Sequence, residues 1–519
     1  MKVKFLTARE AVNLIFDGAV VGTGGFVGVG VPEELEAILE ERYLETSSPR
    51  NLTIYYAAGQ GDGKDRALNH LAHEGLIKRV IGGHWNLAPK LQALALENKI
   101  EAYNFPQGVI SHMFRDAASS KPFTYTRVGL KTFVDPDLEG GKLNEISKED
   151  IVKKEKINGE EFLLYPTPKL DFVILRGTFS DENGNISLQE EAAYGETVAM
   201  AMACRNNGGK VIVQVKDIVK KGSLDPRFIK LSEAMVDVVV KTSDVEKYHR
   251  QTFGSVYNPK YSGALKAADG DVAAPKMDNR KIIGRIGAKM MKANSVVNLG
   301  IGIPELVAAV LNEEGQGDKM TMTVESGIHG GTPAGGTDFG AVVNPDIILD
   351  QDRQFDFYDG GGLDITFLGL AQCDEKGNIN VSKFGPKIPG CGGFINISQN
   401  TKRVVFCGTF TAGGLKQEIK DGKLNIIQEG KMKKFIKKVE QVTFSADYAN
   451  ETGQEVTYVT ERAIFELTPD GLLLTHIAPG VRVQEDIIDQ MEFKPIVAKE
   501  LEIIDPIIFN EGLMNLELK

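Results

Sequence analysis

The sequence predicts two related α/β units, each a largely parallel sheet covered by helices on both faces. Three observations carry this expectation. Apolar strands alternate with amphipathic helices, the pattern of α/β proteins. A helix, strand, glycine loop, helix order begins at Thr7 and begins again at Ile282. The segment Asp171 to Leu188 aligns without gaps on Asp364 to Val381.

The first element is announced by Thr7-Ala8-Arg9-Glu10, a capping-box pattern, after which Ala11, Val12, Leu14 and Ile15 share one helical face until Gly18 ends the run. A short buried strand follows at Ala19 to Gly22. The glycine-rich run Gly24 to Val31 leads into Pro32-Glu33-Glu34-Leu35, where proline suits the first helical position and acids suit the first turn. In the second half a helix reaching Lys292 is followed by the strand Ser295 to Leu299 and by Gly300-Ile301-Gly302-Ile303-Pro304-Glu305. The long echo has seven identities where chance leaves about one, and each copy reads as strand, Gly-Asn turn, strand. Residues 1–250 and 281–519 are therefore expected to be two copies of one domain. Residues 251–280, rich in Gly, Ser, Pro, Ala and charge without sustained period, are expected to link them.

Composition bounds the function. Sixty Lys and Arg against seventy-one Asp and Glu leave the 519 residues at −11, with 42% hydrophobic and 25% charged residues. This is soluble-globular composition, and it excludes a disordered chain, a collagen and a disulfide scaffold. Cys204, Cys373, Cys391 and Cys407 are too far apart for a CxxC pair, so a reducing cytoplasm is expected. No apolar run approaches membrane-spanning length, and charges break the N-terminus too early for a signal peptide. Net acidity argues against nucleic acid and anionic membranes as partners, while leaving room for a local pocket that takes an anionic small molecule.

The duplication isolates one residue. Met320 to Thr323 predicts a strand running into Val324-Glu325-Ser326-Gly327, and its counterpart is Leu52 to Gly59; aligning Gly59 with Gly327 sets Glu325 opposite Ala57. The fold does not need this carboxylate, since its copy does without one. A glutamate at the carboxyl end of a strand, among glycines that admit a substrate to the backbone, is a candidate nucleophile; its bland alternative is a solvated turn acid. Other motifs fail. No Gly-Lys pair continues to Ser or Thr, so there is no phosphate-binding P-loop. Neither glycine loop completes G-x-G-x-x-G, and Glu33, Glu34 and Glu305 would repel a pyrophosphate, which disfavours a nicotinamide oxidoreductase. No serine sits in G-x-S-x-G. His70 and His73 lack an HExxH context, so no metal is expected. His329 either orients a substrate or is a loop residue, and Trp85 and Cys391 are read as packing residues.

Glu325-Ser326-Gly327-Ile328-His329-Gly330 resembles the E-x-G-x-x-G signature of family I coenzyme A transferases, together with Gly300 to Pro304 before it and Pro389-Gly390-Cys391-Gly392-Gly393-Phe394 after it. The resemblance covers essentially the whole chain, its halves corresponding to the two subunit types that other members carry separately. Within the family it is strongest to the propionate- and acetate-dependent short-chain acyl-CoA transferases. It implies the ribose-phosphate-isomerase-like fold of that family, duplicated in one chain. It further implies that Glu325 becomes a glutamyl-CoA thioester, that the Gly393 N–H binds an oxyanion, that Gln107 in Pro106-Gln107-Gly108 lines the site, and that Gly300, Ile301, Gly302, Ile303, Pro304 and Gly392 contact CoA. No cofactor is permanently bound; CoA is substrate and covalent intermediate, acyl-CoA and short-chain carboxylic acids are the partners, and a homo-oligomer is expected. Acyl-CoA hydrolysis and, with no basic DNA-binding module present, a non-catalytic ligand sensor are the alternatives.

The chemistry suits these residue types. A carboxylate of ordinary pKa, about 4.3, is ionised at neutral pH and attacks a thioester without a general base. The resulting tetrahedral oxyanions need a preorganised donor. The acyl pocket is less legible: the run Gly330 to Gly340 and the stretch Phe355 to Tyr358 either shape it or pack the core.

Overall fold

The computed structural model describes residues 3–267 and 274–519. Of the expected linker, residues 268–273 lie outside the described residues. By its internal contacts the chain forms two compact units. Of the described residues, the first holds 3–267, 324–356 and 385–396; the second holds 274–323, 357–384 and 397–519.

The sheet of the first unit has eight parallel strands in the order Lys4–Leu6, Val238–Lys241, Lys210–Val219, Phe172–Asp181, Val20–Thr23, Leu52–Tyr56, Ile77–Gly82, Glu101–Asn104. From Val20–Thr23 the chain winds outward one way, and from Phe172–Asp181 the other, so the winding reverses between these two strands. Their pairing, Val21 with Phe172 and Thr23 with Ile174, sets the switch point at which open α/β sheets usually bind ligands. The predicted capping box is present: Thr7 Oγ1 accepts from Glu10 N while Glu10 Oε2 accepts from Thr7 N. The helix it starts is shorter than the apolar pattern suggests, Ala8–Val12, because Leu14 and Ile15 fold into a closing turn while Ile15 still reaches the core. Pro32 caps the helix Glu33–Thr46 instead of occupying its first turn. Core residues of this unit include Val21, Ile54, Tyr56, Val80, Trp85 and Ile174, all at most 1% exposed.

The second unit repeats the scheme. Its strands run Met320–Val324, Ser295–Leu299, Ile365–Gly369, Arg403–Cys407, Glu455–Val459 in parallel. Ala463–Thr468 and Gly471–Ile477 continue it antiparallel, and Ile496–Ile503 lies parallel to the last of these. The reversal falls between Ser295–Leu299 and Ile365–Gly369.

The long sequence echo proves to be a matched set of hydrogen bonds. Asp171 Oδ2 accepts from Val20 N at 2.8 Å in the first unit, and Asp364 Oδ2 accepts from Val296 N at 3.0 Å in the second. Asp181 then gathers the amides of Asn183, Gly184 and Asn185, as Asp374 gathers those of Lys376 and Asn378. Each aspartate ties a strand start or a turn that the repeat preserves, which is why these identities survive among otherwise interchangeable apolar residues.

Residues 251–267 are irregular but packed within the first unit. Gln251 and Thr252 are buried, Gln251 Nε2 donates to Glu190 O, and Tyr261 donates to Asp338. No helix among the described residues is long and apolar enough to cross a membrane.

Candidate active site

Glu325 directly follows the strand Met320–Val324, at its carboxyl end. The turn that aims it depends on Gly327, whose φ of +109° and close approach to Leu349 O, 2.1 Å from where a Cβ would stand, exclude a side chain. Ser326 is buried and its hydroxyl donates to Gly340 O at 2.7 Å, which anchors the run that begins at Gly330.

A second turn meets this glutamate. Pro389 O accepts from Trp85 N at 2.7 Å and from Asn86 N at 3.2 Å, and Gly392 N donates to Gly83 O at 2.7 Å. Asn104 reinforces it, accepting from Cys391 N while its amide donates to Gly82 O and Gly83 O. Gln107 N, at the first residue of the helix Gln107–Ala118, donates to Gly392 O at 2.9 Å. Gly390 and Gly392 take φ of +79° and +51°, so the turn needs both. At Gly393 the need is steric: a Cβ would stand 2.7 Å from Glu325 Oε2 and 3.2 Å from Phe355 Cζ. The backbone of Gly393 thus lies against the carboxyl of Glu325, an approach only glycine allows.

Gln107 completes the wall. It is 2% exposed, its Nε2 is buried with no hydrogen-bond partner among the described residues, and its Oε1 is 3.7 Å from where a Gly392 Cβ would be. An amide donor left unpaired in a buried site costs stability unless a ligand accepts a hydrogen bond from it. Glu325, Gly393, Gly392 and Gln107 are brought together in the first unit. Gly300, Ile301, Gly302, Ile303 and Pro304 lie in the second, following strand Ser295–Leu299 at its switch point. Ile301 there is 65% exposed, an apolar side chain presented to solvent at the end of a parallel sheet.

Electrostatics at Glu325 depart from the sequence expectation of an ordinary carboxyl. Burial, with no compensating positive charge, pushes its pKa up to about 7. The cause is the apolar and glycine surroundings that make the close approach possible. The residue as a whole keeps partial exposure.

Sequence reasoning missed His84. Burial holds its pKa down at about 4, so it is neutral at pH 7, and its ring edge stands 3.7 Å from a would-be Gly392 Cβ. The signal was its place after the Gly82-Gly83 pair, which marks close backbone approach. The roles of Asn104 and Asn396 were also missed; Asn396 Oδ1 accepts from Gly108 N at 3.1 Å.

Other singled-out residues serve the scaffold. His70 bridges Glu33 and Glu40, and His73 reaches Glu40 at 2.7 Å. Glu34 accepts from Thr242 and Ser243, so the acids after the first glycine loop are structural. His329 bonds Gln354 at 2.8 Å. Trp85 and Cys391 are buried in packing positions, and Phe355 is buried with its ring against Gly108 and Gly393. Among the described residues no group of three or more His, Cys, Asp or Glu is arranged to hold a metal ion.

Known proteins resemble this chain along its whole length. The family model for coenzyme A transferase matches residues 5–242. Acetate CoA-transferase YdiF of Escherichia coli (strain K12) is 43% identical over 520 residues, covering 100% of this chain and 97% of the relative. Caffeate CoA-transferase of Acetobacterium woodii is 44% identical over 513 residues, covering 98% of each chain. The crystal structure of the acyl-CoA transferase (YdiF) from Escherichia coli O157:H7 in thioester complex with CoA superimposes with a TM-score of 0.92 at 42% identity, covering 100% of this chain and 98% of that one. Full-length similarity of this order places the chain in a family: it belongs to the family I coenzyme A transferases.

Proposed function

We propose that this CoA-transferase moves CoA between a short-chain acyl-CoA and a free carboxylate of the acetate or propionate type, by a ping-pong mechanism through a thioester on Glu325. The observation that carries the reading is the Glu325 carboxyl lying against the Gly393 backbone, in surroundings that desolvate it without pairing it. The two halves divide the work: residues 1–250 supply Gln107, and residues 281–519 supply Glu325, Gly392, Gly393 and the CoA-contacting run Gly300 to Pro304. The acids named for relatives, acetate and caffeate, are of different size, and the short-chain assignment for this chain rests on its sequence resemblance.

In the first step the Glu325 carboxylate attacks the thioester carbonyl. The C–S bond breaks, leaving an acyl-glutamyl anhydride and CoA thiolate. The thiolate then attacks the glutamyl carbonyl, the free carboxylate departs, and CoA remains on Glu325. An incoming carboxylate reverses both steps and leaves as the new acyl-CoA. Each tetrahedral intermediate gathers negative charge on oxygen. A preorganised donor such as the Gly393 N–H is worth about 3 kcal/mol there, roughly a hundredfold in rate. Gln107 Nε2, buried and unpaired, is a second donor. Desolvation makes the ionised glutamate a stronger nucleophile, at the cost of needing pH near or above 7 to ionise it. The run Gly300 to Pro304 would use the exposed Ile301 against apolar parts of CoA, and that remote binding energy positions the thioester. The reading also has the enzyme act as a homo-oligomer in the cytoplasm, for which light scattering of the purified protein is the direct measure of assembly.

The test is chemical. Enzyme incubated with acetyl-CoA or propionyl-CoA, reduced with borohydride and digested, is expected to carry its modification on the Glu325 peptide. CoA is expected to leave the enzyme only as a new acyl-CoA, and only when an acceptor acid is present; steady formation of free CoA without one would mean a hydrolase. Full exchange of acids with no modification at Glu325 rejects the mechanism.

A further inference from the structure

Behind the site lies a buried carboxyl that the transfer scheme does not use. Glu196 is 2% exposed and caps the start of helix Thr197–Asn206. Its Oε1 accepts from Ser111 Oγ at 2.8 Å and, in a very short contact, from Gln351 Nε2. Ser111, also fully buried, lies 3.1 Å from Gln107 O, one turn along the helix that Gln107 begins. Gln351 begins the helix Gln351–Asp359, where Phe355 presses on both Gly108 and Gly393, and its backbone N donates to Gly195 O. One carboxyl therefore pins two helices whose near ends form the walls of the Glu325 site.

We propose that Glu196 is a positioning residue for CoA transfer, fixing through Ser111 and Gln351 the Gln107 helix and the Phe355 wall against which Gly393 meets Glu325. The inference rests on the reading of Glu325 and Gln107 given above. Two hydrogen bonds onto one buried carboxylate oxygen are stronger and more directional than neutral pairs, which suits a joint that must hold to fractions of an ångström. Burial raises the Glu196 pKa to about 7, helped by the facing charge of Asp352 and opposed by the Ser111 and Gln351 bonds. Asp352 in turn is surrounded by Arg353, Arg115, His112 and Asp356, and the next titratable residue along the Glu196 helix is Cys204. The joint is thus at full strength only where Glu196 is ionised.

The experiment compares Glu196→Ala and Glu196→Gln in the full-length enzyme. Glu196→Ala removes the acceptor, and kcat is expected to fall about 10- to 100-fold with KM for acyl-CoA within about threefold. The rate of CoA attachment to Glu325 in a single turnover is expected to fall by the same factor. Glu196→Gln keeps an acceptor oxygen and is expected to recover kcat to within about threefold of the wild type. Wild-type kcat in Glu196→Ala, or a loss confined to KM and melting temperature, overturns the proposal. Should Glu196→Ala fail to fold, Ser111→Ala breaks the same joint from the other side, and wild-type kcat there overturns the proposal equally. Failure of the underlying reading is distinct: the wild type itself would then show no CoA on Glu325.

Discussion

The same strand-to-glycine junction occurs twice, as Tyr56-Ala57-Ala58-Gly59 and as Val324-Glu325-Ser326-Gly327, and the two copies have been put to different uses. Ala57 is 2% exposed, and its carbonyl would stand 2.1 Å from a Cβ on Gly83. That copy is packed shut and holds the Gly82-Gly83 corner to which Gly392 binds. Glu325 keeps partial exposure and meets Gly393. The glycine loops differ in the same sense. In Gly24 to Val31 the backbone is covered, Gly28 lying within 2.5 Å of Phe253 were a Cβ added, whereas Gly300 to Pro304 leaves Ile301 open. Duplication supplied two frames with one set of turns; the proposed chemistry uses one strand end that is open and one that is rigid.

The largest effect expected from breaking this comparison comes at Glu325. Glu325→Gln is expected to abolish transfer and CoA attachment together, read by acyl exchange and by intact mass. Glu325→Asp keeps the charge but withdraws it by about 1 Å, for a loss on the order of a hundredfold. Next comes Gly393→Ala, whose methyl would sit 2.7 Å from Oε2. It must displace either the carboxyl or the turn, and kcat is expected to fall by about a hundredfold or more while the fold, followed by melting, is kept.

A pH series sharpens the contrast between a desolvated carboxyl and an ordinary one. With its pKa at about 7, Glu325 is expected to make kcat/KM for acyl-CoA fall with a slope approaching tenfold per unit below pH 7 and level off above it. The stability consequence has the opposite sense. A carboxyl that binds its proton more tightly when folded favours the fold at low pH, and loses that advantage as pH rises from about 4.5 to about 7. Glu325→Gln is therefore expected to match wild type in stability at pH 4 and to exceed it at pH 8, by an amount on the order of 3 kcal/mol.

How far the sequence foretold this follows from what each feature depends on. The parallel sheets, the strand Ser295–Leu299 and the Thr7 cap rest on local periodicity and side-chain caps, which sequence displays directly. Glu325 was legible because the repeat supplied its own control, an alanine at the matching place. The glutamate's raised pKa was not, since desolvation depends on Gly393 and Phe355, far along the chain. His84 and Glu196 were invisible for the same reason. Each looks like an unremarkable polar residue until long-range folding buries it.

The glycine loops give a smaller, paired test. Ile301→Asp places a charge on the open loop, and KM for acyl-CoA is expected to rise about tenfold, some 1.4 kcal/mol of binding, with melting unchanged. Val29→Ala in the closed loop, where the side chain is 2% exposed, is expected to do the reverse: about 2 kcal/mol of stability lost, KM unmoved.

The smallest effect is expected at Ala57, and it bears most directly on the contrast between the copies. If that strand end is support alone, Ala57→Gly removes one methyl from a buried place and loosens the backbone at a strand end, for about 1 kcal/mol or less of stability. Exchange kinetics should stay within about twofold, because the Gly83 carbonyl that receives Gly392 is held by backbone and by Asn104 and not by the alanine side chain. Loss of activity in a folded Ala57→Gly enzyme would show that the closed copy shapes the reacting centre with atoms of its own, and the division between an open catalytic end and a rigid supporting one would have to be redrawn.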